Sequence, residues 1–252
     1  MDKQPVFFCV CSQKGGVGKS TFTILLANWL HYALGRDVLV VDCDAPQWSI
    51  VAQRERELDV LERNDRYKLM MVRLFKRTGR KIWPVVRSTP YEGLQAARAY
   101  FAAGDREADF VRLDLPGTVA APGIFRLLAQ LDHLFIPLKA DKLVLESALS
   151  FARAVDEQLV HNDALRLTGL HLFWTMVDRR ERTPLYESYG KAFAAFRLPV
   201  LQTQVPYRSR FSKEILDTSG AVGRSTLFPA DRAFAADAAL DALAAEILSL
   251  ME

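Results

Sequence analysis

A glycine-rich loop near the start of the chain carries the residues best suited to chemistry. The segment from Lys14 to Thr21 reads KGGVGKST, and its glycines let backbone N–H groups turn inward because no Cβ blocks them. The Lys19 ammonium can reach the β- and γ-phosphates of a nucleotide, and the Ser20 hydroxyl can ligate Mg²⁺. The residues predicted to hold the nucleotide are Gly15, Gly16, Val17, Gly18, Lys19, Ser20 and Thr21.

Carboxylates follow two other apolar runs. Asp42 and Asp44 end the run VLVVDCD, and Asp114 ends the run ADFVRLD. Because the carboxyl ends of strands line the ligand crevice of a doubly wound sheet, we expect all three side chains to face the phosphates. A carboxylate such as Asp114 can hold Mg²⁺ through a water molecule.

The elements that must position these residues follow from an alternation of short apolar runs with helical patterns. This alternation predicts an α/β fold, a doubly wound and mostly parallel sheet with helices on both faces. A helix is predicted from Ser20 to Leu34 and a last one from Asp231 to Leu250, all within a single domain spanning residues 1–252. The predicted strands are Val6–Cys11, Asp37–Val41, Ile82–Arg87, Phe110–Leu113, His133–Pro137, Gly169–Val177 and Pro199–Gln204.

Charge and cysteine content limit the remaining choices. The net charge of +3 over 252 residues is too small to establish a nucleic-acid partner. The basic stretch from Arg66 to Lys81 has no acid inside it, and the sequence leaves open whether it meets DNA, protein or water. No signal peptide and no apolar run of about 20 residues is seen, so we expect a cytoplasmic protein without membrane contact. The cysteines form no CxxC pair and are expected to be buried, inert thiols.

The front of the glycine-rich loop departs from the common phosphate-loop pattern. Gln13 stands where that pattern has glycine, and a second lysine, Lys14, precedes the glycines. With Lys14 in this place, the loop resembles the deviant Walker A motif of the ParA/MinD family of dimerising P-loop ATPases. The resemblance implies ATP and Mg²⁺ as cofactors, with Lys14, Lys19 and Asp44 as the catalytic residues.

The same resemblance implies a role for each residue. Lys14 would contact the nucleotide of the other subunit in an ATP-bound homodimer, and Asp44 would orient the attacking water. Ser20, Asp42 and Asp114 would form or support the Mg²⁺ site. Thr175 and Pro206 would lie near the adenine, Thr175 in a place where the family often has Asn.

Partners are also implied by the resemblance. Dimers of the ParA type hold DNA without sequence preference and respond to a protein activator. The candidate DNA contacts here are Arg208, Arg210, Lys213 and Arg224. Phrases such as DCDAPQWS, DRRERTPLYE and RSTLFPAD further resemble ParA-type proteins of conjugative transposons from the Bacteroides group. They imply DNA partitioning or conjugative transfer of a mobile element.

Other function classes would require different sequence features. A MinD-like positioning protein on membranes needs a basic amphipathic C-terminal helix, whereas the tail from Asp231 onward has Arg232 as its only base. An iron–sulfur carrier needs exposed cysteines that bridge a dimer. A non-specific DNA-binding module that uses ATP mainly as a structural ligand stays open as an alternative.

Overall fold

The computed structural model describes residues 4–104, 107–117, 122–178, 180, 183–215 and 222–252. Its centre is a six-stranded sheet in the order β3-β2-β4-β1-β5-β6, and every pair of neighbouring strands is parallel. This arrangement confirms the predicted α/β fold. The strands are β1 Val6–Val10, β2 Val38–Asp42, β3 Val85–Arg87, β4 Phe110–Asp114, β5 His133–Leu138 and β6 Gly169–Trp174.

Helices cover both faces of the sheet, since successive residues of a buried strand point to opposite sides. Phe8 and Val10 of β1 pack in the cluster that includes residues of α1, α3 and α9, whereas Phe7 and Cys9 pack in the cluster with α4, α5 and α6. The helices are α1 Lys19–Asn28, α2 Ser49–Arg63, α3 Asp65–Thr78, α4 Gly93–Ala102, α5 Pro122–Leu128, α6 Lys142–Val155, α7 Leu185–Ala195, α8 Arg232–Asp237 and α9 Leu240–Met251.

The strand order brings the predicted chemistry to one edge of the sheet. β1 lies between β4 and β5, and β2 pairs with the other side of β4. In that register Asp42 lies directly opposite Asp114. The loop after β1 and the acidic ends of β2 and β4 therefore meet where the chain changes direction across the sheet, the place where doubly wound folds bind ligands.

The seventh predicted strand, Pro199–Gln204, is wrong. Within the described part of the chain this segment forms only an isolated bridge between Val200 and Leu172. The Glu246 carboxylate of α9 accepts the backbone N–H groups of Gln202 at 2.6 Å and Thr203 at 2.9 Å. These donors are satisfied by a side chain, so the segment does not extend the ladder.

Two predicted helices also differ from the structure. The helix predicted from Ser20 to Leu34 is α-helical only as far as Asn28 and continues as a π-helical turn, Trp29–Ala33. The helix predicted from Asp231 to Leu250 is divided into α8 and α9 at Ala239, whose φ of 53° is left-handed. A left-handed residue cannot continue a right-handed helix, so the chain restarts there.

The burial of the cysteines and the length of the helices bear on two expectations from the sequence. Cys9, Cys11 and Cys43 are free and buried, which confirms the expected burial of the thiols. None of the helices in the described ranges has the length and apolar character needed to cross a membrane.

Candidate nucleotide-binding site

The loop after β1 leaves the start of α1 open to an anion. Gly18 is the N-cap of α1 with φ of 92°, and no side chain caps the helix. Cβ atoms built on Gly15 or Gly16 would meet nothing within 4 Å, so open space lies in front of the loop. Because the first N–H groups of a helix have no partner inside it, a phosphate placed here would supply the missing acceptors.

The two lysines of the loop differ in their surroundings. The Lys19 ammonium donates to the Lys14 carbonyl at 3.1 Å, and the residue as a whole is only 9% exposed. A Cβ built on Gly117, just after β4, would lie 3.9 Å from that ammonium. The Lys14 side chain is exposed. Lys19 is thus positioned for a phosphate bound in its own loop, and Lys14 points to solvent where another molecule can meet it.

Asp114 joins β4 to α1. One of its carboxylate oxygens accepts from the Ser20 hydroxyl at 2.7 Å, and the other accepts from the Thr23 hydroxyl at 3.0 Å. Burial raises the pKa of Asp114 to about 7, against the lowering effect of the Ser20 hydrogen bond. The structure therefore brings together the two residues predicted to share the metal site, Ser20 and Asp114.

Asp42 has a local partner for each carboxylate oxygen. One oxygen accepts from the N–H groups of Ile50 at 3.0 Å and Val51 at 3.1 Å in the first turn of α2, and the other from Asp44 N–H at 3.2 Å. Burial raises the pKa of Asp42, and these hydrogen bonds lower it. Asp42 thus caps α2 and fixes the backbone that carries Asp44.

Asp44 interacts electrostatically with the lysine of the loop. Its side chain is half-buried, and its carbonyl accepts from Trp48 N–H at 2.8 Å. Burial raises the pKa of Asp44, the negative charge of Asp42 raises it further, and the Lys19 ammonium lowers it. A carboxylate that interacts with the positive charge of Lys19 is suited to act on a group bound beside that lysine.

The oxygen ligands that the protein offers are suited to a Mg²⁺ ion that also binds a nucleotide. Among the described residues, no three Asp, Glu, His or Cys side chains converge closely enough to hold a metal ion by themselves. Mg²⁺ commonly takes one or two protein oxygens and completes its shell with phosphates and water. Ser20 and Asp114, with their oxygens 2.7 Å apart beside the open loop, can supply those protein oxygens.

The two residues predicted near the adenine lie in different surroundings. Pro206 lines a cleft of about 400 Å³ that also includes Asp178, Tyr207 and Arg208. Thr175 does not line it; its side chain is buried, and its N–H donates to the Leu138 carbonyl at 2.8 Å. The cleft beside Pro206 can accept a flat ring, whereas Thr175 lies at the end of the sheet.

Three of the four predicted DNA-contacting cations form ion pairs with carboxylates of the same chain. Arg208 binds Asp237, Arg210 binds Asp231, and Arg224 binds Glu214 at 2.6 Å. Arg224 also donates to the Thr21 hydroxyl at 3.1 Å, so it braces the start of α1. Only Lys213 of this set has no carboxylate partner among the described residues.

Two residues of the site region were not predicted from the sequence. Thr23 binds Asp114, and its position four residues after Lys19 is the signal that would have placed it on the same side of α1. Arg112 is fully buried, and its guanidinium lies 4.6 Å from the centre of the Phe8 ring. None of its nitrogens has a hydrogen-bond partner among the described residues, and burial lowers its pKa to about 9. Its signal was a charge inside an apolar strand, two residues before Asp114.

Comparison with known families gives a match over most of the chain. The model for the CobQ/CobB/MinD/ParA nucleotide-binding domain matches residues 8–221. The chromosome-partitioning ATPase Soj of Thermus thermophilus is 27% identical over 220 residues, which cover 73% of this chain and 86% of Soj. An iron–sulfur cluster carrier protein of Bacillus subtilis is 34% identical over 124 residues, which cover 46% of this chain and 34% of the carrier.

Solved structures share the fold at low sequence identity. A plasmid partition protein of Borrelia burgdorferi has a TM-score of 0.54 and 20% identity, over 82% of this chain and 91% of its own. Cobyrinic acid a,c-diamide synthase of Mycobacterium smegmatis, with a bound ATP analogue and magnesium, has a TM-score of 0.53 and 21% identity, over 87% and 89%. The pNOB8 ParA protein bound to nonspecific DNA has a TM-score of 0.51 and 19% identity, over 79% of each chain.

Proposed function

The chain belongs to the CobQ/CobB/MinD/ParA family of nucleotide-binding domains, and we propose that it is an ATP-hydrolysing switch of the ParA type that dimerises around ATP. The observation that carries the proposal is the contact between Ser20 and Asp114, which joins an uncapped helix start to the acidic end of β4. This geometry is suited to a triphosphate with its Mg²⁺.

Each side chain has one task in this proposal. The N–H groups at the start of α1 and the Lys19 ammonium bind the phosphates and offset their negative charge. Ser20 and Asp114 hold Mg²⁺, which supplies further positive charge to the phosphates when bound. Asp44 orients the attacking water, and Asp42 keeps Asp44 in place through the backbone hydrogen bonds described above. Pro206 would contact the adenine at the edge of its cleft, which Thr175 does not line.

Hydrolysis of ATP by the purified protein tests this assignment. We expect slow release of phosphate that requires Mg²⁺. The Ser20 and Asp114 oxygens can act on the phosphate oxygens only through a bound cation. Phosphate release is measured with Mg²⁺ and again with excess EDTA. A rate that is the same in both conditions would exclude the proposed metal site.

Dimerisation is proposed from the position of Lys14. Its side chain is exposed at the front of the loop, while Lys19 occupies the inside. In an ATP-bound dimer each Lys14 would reach the γ-phosphate on the other subunit and stabilise charge there, as an arginine finger does in other NTPases.

Lys14→Ala separates this role from ordinary binding. The variant should keep the ATP affinity of a single subunit but lose both ATP-dependent dimerisation and turnover, by about 100-fold or more in rate, because the charge supplied in trans is absent. Equilibrium binding of a fluorescent ATP analogue, light scattering and phosphate release are measured together. A variant that dimerises and turns over normally would show that Lys14 is only a surface lysine.

Partitioning of DNA is the cellular role that the relatives favour. Soj is a chromosome-partitioning ATPase, and the Borrelia structure is a plasmid partition protein. We propose the same class of role here, with a protein activator that resets the dimer. The narrower proposal of conjugative transfer of a mobile element rests on the sequence phrases quoted above.

Non-specific DNA binding by the ATP-bound dimer is part of this proposal. The pNOB8 ParA protein was solved on nonspecific DNA, and the candidate contacts here are Arg208, Arg210, Lys213 and Arg224. Because three of these cations are paired, Lys213 is the cation ready for phosphate, and the arginines bind DNA only when they leave their carboxylates.

Two substitutions with opposite expected signs test the DNA contacts. Lys213→Glu should weaken ATP-dependent binding of a random duplex. Asp231→Asn should strengthen it, because the amide can still cap α8 through Phe234 N–H but no longer holds Arg210 by charge. Affinity should fall with salt with a log–log slope of about −0.9 per phosphate contact. Mobility shifts are run with ATP, with ADP and without nucleotide, and Lys191→Glu on exposed α7 is the control. No shift at low salt in any state would remove DNA from the proposal.

A further inference from the structure

The outward face of α3 carries apolar side chains that nothing in the described chain covers. Leu69, Val72 and Phe75 are 50%, 48% and 49% exposed. They are spaced three residues apart, so they follow one another along one side of the helix. The opposite side carries Tyr67 and Leu74, which are buried against the body of the protein. The exposed apolar strip therefore lies on a different side of α3 from the side that packs against the body of the protein.

A column of arginines runs beside the apolar strip. Arg66, Arg73 and Arg77 are seven and four residues apart, which aligns them along a single flank of α3. All three are exposed, and none has a carboxylate partner among the described residues. Nearby cations differ in this respect, since Lys68 pairs with Asp65 at 2.9 Å and Arg80 pairs with Asp37 at 2.8 Å.

The helix that carries both rows is held at its two ends. Asn64 caps the start of α3 by accepting from Arg66 N–H at 3.0 Å, and Gly79 ends it in a left-handed conformation. On the inner side, the Tyr67 ring lies 6.0 Å from the ring of Phe228. A partner would therefore meet a preformed surface, and little ordering of the helix would oppose binding.

We propose that this face of α3, formed by Leu69, Val72, Phe75, Arg66, Arg73 and Arg77, binds an amphipathic helix of a partner protein with carboxylates along one flank. The apolar strip of the partner would cover the three apolar side chains, and its carboxylates would pair with the arginine column. Arginine can accept such carboxylates through two parallel hydrogen bonds. The surface is separate from the ATP site, so this proposal does not depend on ATP hydrolysis.

Charge complementarity and the apolar strip together favour an acidic helix over the other occupants. Duplex DNA would satisfy the arginines but would leave Leu69, Val72 and Phe75 facing phosphates. An anionic membrane is best met by unpaired cations on both sides of an apolar face. In α3 the arginine column lies on one side; on the other side Lys68 is paired with Asp65, and the exposed Lys76 lies among the apolar side chains.

The test uses the full-length protein and a defined probe. The probe is a fluorescent, lactam-stapled helical peptide with leucines at i, i+3, i+4 and i+7 and glutamates along one flank. A peptide of the same composition with the helical order scrambled serves as its comparison. Anisotropy is measured for wild type, for Val72→Ser and for Arg73→Glu combined with Arg77→Glu. Matched controls are Leu143→Ser and the pair Arg98→Glu with Arg126→Glu, all exposed and elsewhere on the surface. Thermal melts confirm that each variant is folded.

Wild type should bind the ordered peptide at least about tenfold more tightly than the scrambled one, and both α3 variants should lose that preference while the controls keep it. Equal affinity for the two peptides, or a preference that the α3 variants retain, would overturn the proposal. Phosphatidylglycerol vesicles and a random duplex are measured in parallel. Binding to either that only the α3 variants abolish would assign the surface to lipid or to DNA instead.

Discussion

Lys19→Ala is expected to abolish ATP turnover or reduce it by at least about 100-fold, the largest single effect in this site. The Lys19 ammonium is almost buried inside the loop, close to the turn that follows β4. Removing it takes away the one buried cation that the loop offers to the phosphates, so both their binding and the stabilisation of charge during transfer are weakened. Phosphate release and binding of a fluorescent ATP analogue are measured on the same preparation.

A matched control shows whether the loss of one positive charge by itself lowers turnover. Lys142→Ala removes an equal charge from the exposed start of α6, where the side chain forms only a surface pair with Glu146. Its turnover should equal that of wild type, since exposed pairs contribute little. If Lys19→Ala turned over ATP at the rate of Lys142→Ala, the loop could not be the catalytic phosphate site.

Asp44→Ala is also expected to lower turnover strongly, and it should separate binding from hydrolysis. The Asp44 carboxylate is influenced by the charge of Lys19, but in the proposed mechanism the loop and Lys19 hold the phosphates. Turnover should therefore fall by about 100-fold, while ATP affinity changes by no more than a few-fold. An affinity loss as large as the rate loss would place Asp44 in phosphate or metal binding instead.

Asp42→Ala is the informative neighbour of that variant. It leaves the N–H groups of Ile50 and Val51 without their acceptor, so α2 loses its cap and the protein should lose about 1–3 kcal/mol of stability. The midpoint of urea unfolding measures this loss. Asp44→Ala should leave that midpoint nearly unchanged, because the Asp44 carboxylate accepts no hydrogen bond from a helix start within the described ranges.

The phosphate loop and the ends of β2 and β4 could be predicted because local sequence determines them. Glycines with left-handed φ, a lysine at the start of a helix and acids after buried strands each require a particular backbone, and the parallel topology then brings them together. The contact between Ser20 and Asp114 confirms the expected proximity across residues far apart in the sequence.

Features that depend on partners distant in the chain could not be predicted from the sequence. Pro199–Gln204 has the apolar character of a strand, but Glu246 of α9 takes two of its N–H groups. Arg208 and Arg210 are candidate DNA contacts from the sequence, which does not show that folding pairs them with Asp237 and Asp231. A sequence shows the charge of a residue and not the carboxylate that folding brings beside it.

Asp42 and Asp44 show the same limit within one motif. Both follow β2, and the sequence could place both at the site. Only the structure distinguishes them, because the Asp42 carboxylate is taken up by the first turn of α2 whereas Asp44 stays beside Lys19. A strand-end acid followed by a helix a few residues later can cap that helix, and the sequence alone does not show which of two such acids does so.

Sedimentation velocity of Asp44→Ala tests the central claim, an ATP-dependent dimer, most directly. Because this variant is expected to bind ATP without consuming it, the nucleotide-bound state should accumulate. With saturating ATP and Mg²⁺ it should sediment as a dimer, and with ADP or with no nucleotide as a monomer. The double variant with Lys14→Ala should remain a monomer under all three conditions. A monomer of Asp44→Ala at saturating ATP and Mg²⁺, with nucleotide binding verified in the same sample, would contradict the dimerising switch.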